Sequence, residues 1–141
     1  MEMFVWRDEF SVGDETIDKQ HQELIRLMND LYELICLPVQ DQGEGRIGYL
    51  FGGLAEYIYT HFGYEEKRMA DAGYPVDRLA AHREEHNGIV RRIQEFHAQV
   101  NEGDHEALKD LLPYLYGEWL ILHILESDMA YRPYLEKAAG R

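Results

Sequence analysis

Residues 54–69 read Leu-Ala-Glu-Tyr-Ile-Tyr-Thr-His-Phe-Gly-Tyr-Glu-Glu-Lys-Arg-Met. Leu54, Ile58, Phe62 and Met69 recur at helical spacing, so the stretch is a helix with an apolar face. His61 and Glu65 are four residues apart, which puts an imidazole and a carboxylate one above the other. Their neighbours are apolar or aromatic, so the pair points inward. There neither group belongs unless something compensates it. A bound cation compensates both. One such pair is weak evidence, because about one His-x-x-x-Glu is expected by chance in a chain with this many His and Glu. The rest of the chain decides the question.

Three more helices surround this one. The first is expected from about 18 to 37, with Leu24, Leu27, Met28, Leu31, Leu34 and Ile35 as its buried stripe. Pro38 and the polar run to Gly43 stop it. The second helix, the one quoted, runs from about 45 to 72 and ends at Gly73-Tyr74-Pro75. The third runs from about 77 to 100. The fourth starts near Asp104, a good N-cap, and reaches about 127, with Pro113 kinking or splitting it after Leu112. A short tail helix over 132–137 follows. No segment alternates like a strand for long. Four helices with short connections predict an all-α, up-down-up-down antiparallel four-helix bundle. The expected organisation is one domain over 1–141: an irregular N-terminal arm (1–17), the bundle (18–127) and a C-terminal tail (128–141).

Composition narrows the function. The formal net charge of −13 argues against nucleic acid and anionic membranes as partners. No apolar run approaches the ~20 residues of a membrane span. The single cysteine, Cys36, cannot form an intrachain disulfide. With no signal segment evident, the cytoplasm is the expected location. Cys36 reads as a small buried hydrophobe near a helix end.

Each helix carries polar residues at core positions: His21 on the first, His61 and Glu65 on the second, His82 and His86 on the third, His123 and Asp128 on the fourth. His21 and His82 lie early in their helices, and His61 and His123 late. In an antiparallel bundle all of these fall at the same end. His97 and His105 are left over, His97 at the surface or partly buried and His105 solvated. Seven ligands exceed the four of a structural zinc. Imidazole and carboxylate donors suit iron. The only Glu-x-x-His, from Glu102 to His105, lies in a connection, which disfavours the ferritin-like diiron site. With two bridging carboxylates and a solvent-derived oxygen bridge, five histidines divide three to two. One iron is then saturated and the other keeps an open position for a small molecule such as O2. One spacing is awkward. His123 and Asp128 are five apart, about 140° out of step on an α-helix, which a local π-turn or approach from different sides would repair.

These residues resemble the hemerythrin family, more closely its single-domain bacterial branch. The matching pieces are Ile17-Asp18-Lys19-Gln20-His21, His61 to Met69, Gly73-Tyr74-Pro75, His82-x-x-x-His86, and Trp119 to His123 followed by Asp128 and Tyr131. They span about Trp6 to Tyr134. The resemblance implies an oxo- or hydroxo-bridged diiron centre. His82, His86 and His123 would bind the saturated iron, His21 and His61 the open one, and Glu65 and Asp128 would bridge. It also implies an O2 pocket of Leu24, Phe62, Trp119, Leu120 and Ile124. Leu120 would lie over the open iron. Two departures stand out: Met129-Ala130 replaces a basic pair often seen in the family, and Pro113 interrupts the last helix. The expected function is reversible O2 binding by a carrier, store or delivery protein that is not an enzyme. The alternatives are a diiron oxidase, peroxidase or nitric-oxide-handling enzyme, or a sensor acting through a separate partner. An O2-consuming or signalling protein partner is open from sequence.

Overall fold

The computed structural model describes residues 4–43, 45–103 and 107–140, with the side chains of 39, 108, 112, 120 and 121 left aside. His105 and the expected N-cap Asp104 therefore lie outside the described residues. So does the side chain of Leu120.

The chain is an all-α antiparallel four-helix bundle with a short tail helix. Helix α1 is Glu15–Cys36. Asp14 caps it by accepting the Ile17 N–H at 3.0 Å, and Glu15 and Asp18 place acid in its first turn, where the helix dipole favours it. The helix begins three residues earlier than its periodicity predicts, because the cap precedes the apolar stripe. Helix α2 is Arg46–Asp71, unbroken by Gly48, Gly52 and Gly53. It stops at Gly73, whose φ of 80° needs glycine, with the Tyr74 N–H returning to the Met69 carbonyl at 3.0 Å. Helix α3 is Val76–Asn101. Helix α2 packs against α1 and α3, and α3 packs against α4.

Helix α4 starts as an ordinary α-helix, Ala107–Tyr114, and continues as a π-helical segment, Leu115–Asp128. The expected kink or split after Leu112 is replaced by a change of hydrogen-bond register two residues after Pro113. Proline has no N–H to give to the carbonyl four residues back, and the register loosens from there. A 3-10 turn, Met129–Tyr131, leads into the tail helix α5, Arg132–Ala138, with Pro133 in its first turn.

The arm is irregular but anchored. The Phe4 N–H donates to Asn29 Oδ1 at 2.9 Å, and Asn29 Nδ2 donates back to the Phe4 carbonyl at 2.8 Å. Phe4, Phe10 and Val12 are buried. Cys36 corrects the sequence reading, being exposed. It sits two residues past core-facing Leu34, about 200° around the helix.

The core has two parts. The larger contains Leu24, Met28, Leu54, Ile58, Phe62, Ile89, Ile93, Trp119 and Ile124. The smaller contains Val12, Ile17, Met69, Tyr74, Leu79, Tyr131 and Leu135. Along the chain each helix crosses from one to the other: Ile17 to Leu24, Ile58 to Met69, Leu79 to Ile89, Trp119 to Tyr131. The buried His, Glu and Asp residues lie within these intervals.

Candidate metal centre

The layer between the two apolar clusters holds His21, His61, Glu65, His82, His86, His123 and Asp128. None is more than 3% exposed. The seven residues named from sequence are thus brought together. One atom from each of Glu65, His82, His86, His123 and Asp128 lies within 4.8 Å of the others, and His21, His61 and Glu65 form a second such group. His97 is half-buried elsewhere, its ring 5.4 Å from that of Phe51.

All five imidazoles turn Nε2 inward. Glu65 Oε1 lies 3.0 Å from His82 Nε2 and 3.0 Å from His86 Nε2. Its other oxygen, Oε2, lies 3.1 Å from His61 Nε2 and 3.4 Å from His21 Nε2. Asp128 divides the same way. Its Oδ1 is 3.0 Å from His82 and 3.1 Å from His123, and its Oδ2 is 3.4 Å from His21. Glu65 therefore gives one oxygen to the side of His82 and His86 and the other to His21 and His61, while Asp128 gives one to His82 and His123 and the other to His21 alone.

The hydrogen-bonding partners on the outer side fix which nitrogens carry protons. His61 Nδ1 lies 2.7 Å from Gln20 Oε1, an amide oxygen that can only accept. His86 Nδ1 lies 3.0 Å from Glu66 Oε2, and Arg83 donates to the other oxygen of Glu66 at 3.1 Å. In both histidines the N–H is on Nδ1, and the Nε2 lone pair faces the cluster. His86 Nε2 then faces His123 Nε2 at 2.9 Å and Glu65 Oε1 at 3.0 Å. Sequence reasoning assigned Gln20 and Glu66 no role. Each stands one residue from a named ligand position, and that adjacency is the signal that could have found them.

Lone pairs facing lone pairs at this distance, out of water, require protons or cations between them. Without a cation the cluster draws protons. Burial alone would lower the His21, His82 and His123 pKa values, but Asp128 and Glu65 outweigh it. They hold His21 and His82 up at about 9 and His123 up at about 10. At His61 burial prevails and the value is lowered. Burial opposes ionisation of Glu65 and Asp128, yet the surrounding imidazoles depress both. Even so, the Nε2 of His21 and His61, Glu65 Oε2 and both Asp128 oxygens have no hydrogen-bond partner. Neighbouring ligands on a small six-coordinate cation, with bonds of about 2.1 Å, stand about 3 Å apart. The donors have the spacing, the charge and the unsatisfied atoms that bound cations would complete.

The expected pocket residues Leu24, Phe62, Trp119 and Ile124 are buried. The Trp119 ring meets His21 edge-on at 6.1 Å. Phe62 stacks flat on His86 at 3.8 Å and lies 5.8 Å from His61, so it borders both groups. Tyr131 is wholly buried on the far side, 5.7 Å from His82. Burial, then the nearby Asp128 and Glu65 charges, holds its phenol well above its ordinary pKa.

Helices α2 and α3 supply two donors each at i,i+4 spacing, and α1 supplies one. The π-helical register of α4 supplies His123 and Asp128 at i,i+5. This architecture is shared with known proteins. The family model of the hemerythrin HHE cation binding domain matches residues 12–135. The chain is 32% identical over 130 residues to the bacteriohemerythrin of Clostridium acetobutylicum, covering 92% of this chain and 98% of that one. It is 30% identical over 131 residues to that of Stenotrophomonas maltophilia, covering 93% and 80%. The crystal structure of wild-type hemerythrin superposes with a TM-score of 0.79 at 25% identity, covering 95% of this chain and 98% of that one. The chain belongs to the hemerythrin family.

Proposed function

We propose that this chain is a non-heme diiron protein that binds O2 reversibly, as a carrier, store or delivery protein rather than an enzyme. The observation that carries the reading is that Glu65 turns one oxygen to each of two buried histidine groups, with Asp128 reaching from His82 and His123 to His21. In this reading His82, His86 and His123 would hold one iron, His21 and His61 the other, and Glu65 and Asp128 would be shared by both. The iron with two histidines, having fewer protein donors, would be the one that takes O2. When bound, the irons supply the electrons that O2 binding draws on and take them back on release.

The chain's own residues do the rest. Gln20 and Glu66 hold His61 and His86 with Nε2 inward. Leu24, Trp119 and Ile124 exclude water beside the two-histidine group, which favours release of O2 intact over turnover, since turnover is helped by positioned proton donors. Both apolar clusters keep the layer dry. The reading takes 1–141 as one domain and the cytoplasm as its location. No described helix is long and apolar enough to cross a membrane.

The test is a visible spectrum of the iron-loaded, reduced protein before air, after air and after degassing. A band that appears with O2 and disappears on degassing over repeated cycles is the expected result. A band that never reverses, with O2 consumed, points to the oxidase reading instead.

A further inference from the structure

The seven donors are no more than 3% exposed, so cations that load after folding must pass between helices. A crevice of about 400 Å³ opens between α3 and α4, and His123 forms part of its wall. His123 is 3% exposed. Its Nε2 serves the cluster, whereas its Nδ1 has no hydrogen-bond partner. That nitrogen lies 3.8 Å from Glu85 Oε2, longer than a hydrogen bond. Glu85 thus does not lock His123 as Gln20 locks His61. Ser127 Oγ donates to Glu85 Oε1 at 2.8 Å and holds the carboxylate in place. Glu118 lines the same crevice, and Gly88 leaves its wall free of a side chain there. Arg92 also lines it, but its guanidinium is paired with Glu95 at 2.9 Å and lies 4.2 Å over the Phe96 ring.

We propose that this crevice is the route by which divalent cations reach the centre, with Glu118 and Glu85 capturing the cation and His123 receiving it. The inference rests on the reading of the seven residues as a two-cation site. Carboxylates at the mouth raise the local cation concentration and the association rate. Carboxylate and imidazole together suit a divalent first-row metal. An access route changes uptake and release rates together and leaves affinity alone, which separates it from a group that merely orients a ligand.

The test adds Co2+ to metal-free protein and follows its visible absorption by stopped flow at low salt. Wild type should take up two cobalt ions per chain. Glu118→Gln should slow uptake by about threefold and Glu118→Lys by about tenfold, with the same final stoichiometry and equally slowed removal by a chelator. Glu85→Gln should also slow uptake, and Arg92→Gln should quicken it. Salt should erase the Glu118 effects, because the residue is exposed. Equal loading rates for wild type and Glu118→Lys at low salt would overturn the route while leaving the metal centre standing. Uptake of fewer than two ions by wild type would overturn the metal-centre reading itself, and the route with it.

Discussion

His123 and Asp128 stand five residues apart in the chain, yet His123 Nε2 lies 3.1 Å from Asp128 Oδ1. On an α-helix they would point about 140° apart. The π-helical segment Leu115–Asp128 brings them together, because its hydrogen bonds run from i to i+5. Such segments are uncommon and cluster at functional sites. Here the register places an imidazole and a carboxylate of one helix on the same buried layer.

Removing a shared carboxylate should do more damage than removing a terminal imidazole. Glu65→Ala takes a donor from both histidine groups and leaves cationic charge buried without compensation. His61→Ala takes a donor from one group. The account expects Glu65→Ala to lose most of its iron, and His61→Ala to weaken one iron and abolish O2 binding. Metal analysis and the O2 difference spectrum check this. Normal iron content and O2 binding in Glu65→Ala would make the bridging assignment wrong.

Two histidines serve as controls. His97 packs near Phe51, away from the cluster, and His105, outside the described residues, is not among the seven residues proposed as ligands. His97→Ala and His105→Ala should each retain the wild-type iron content after purification from iron-replete cells. Loss of iron in either variant would mean that the wrong five histidines had been chosen.

The helices and six of the seven inward residues were legible in the sequence for a plain reason. A polar residue in step with Leu24 and Met28, or with Ile58 and Phe62, can only face the core. Asp128 was not legible from spacing, since a five-residue step carries no α-helical meaning, and it came from the family pattern. The helix's start at Glu15 was missed because capping by Asp14 acts before the apolar stripe begins. Cys36 was misjudged because its residue type is usually buried, whereas its angular position at the end of α1 is not. Gln20 and Glu66 were passed over because a polar residue beside a ligand looks, in one dimension, like any other surface residue.

The metal-free protein should be sensitive to alkali. The folded state holds the His21 and His82 pKa values at about 9 and that of His123 at about 10, above the unfolded value of 6.5. Groups raised in this way stabilise the fold fully below the unfolded value, and lose that contribution as pH rises through the folded one. Metal-free protein should therefore melt at progressively lower temperature from about pH 6.5 to about pH 10. Loaded protein should not lose this contribution, because cations replace the protons. Thermal melts of both forms across that range decide it, and parallel curves would contradict the assignment.

Leu24 tests whether the apolar wall protects bound O2. It is fully buried, one turn from His21 on α1. Leu24→Ala should cost roughly 2–5 kcal/mol through the cavity it opens. The oxygenated band should also decay faster than in wild type, increasingly so in acid, with iron content unchanged. Equal decay at every pH would make Leu24 ordinary core.

One chain should hold two irons in the layer between its two apolar clusters. The most direct measurement is metal content per chain after purification from iron-replete cells, by elemental analysis against quantified protein. The account predicts two irons per chain. A value near one, or zinc in place of iron, would contradict it.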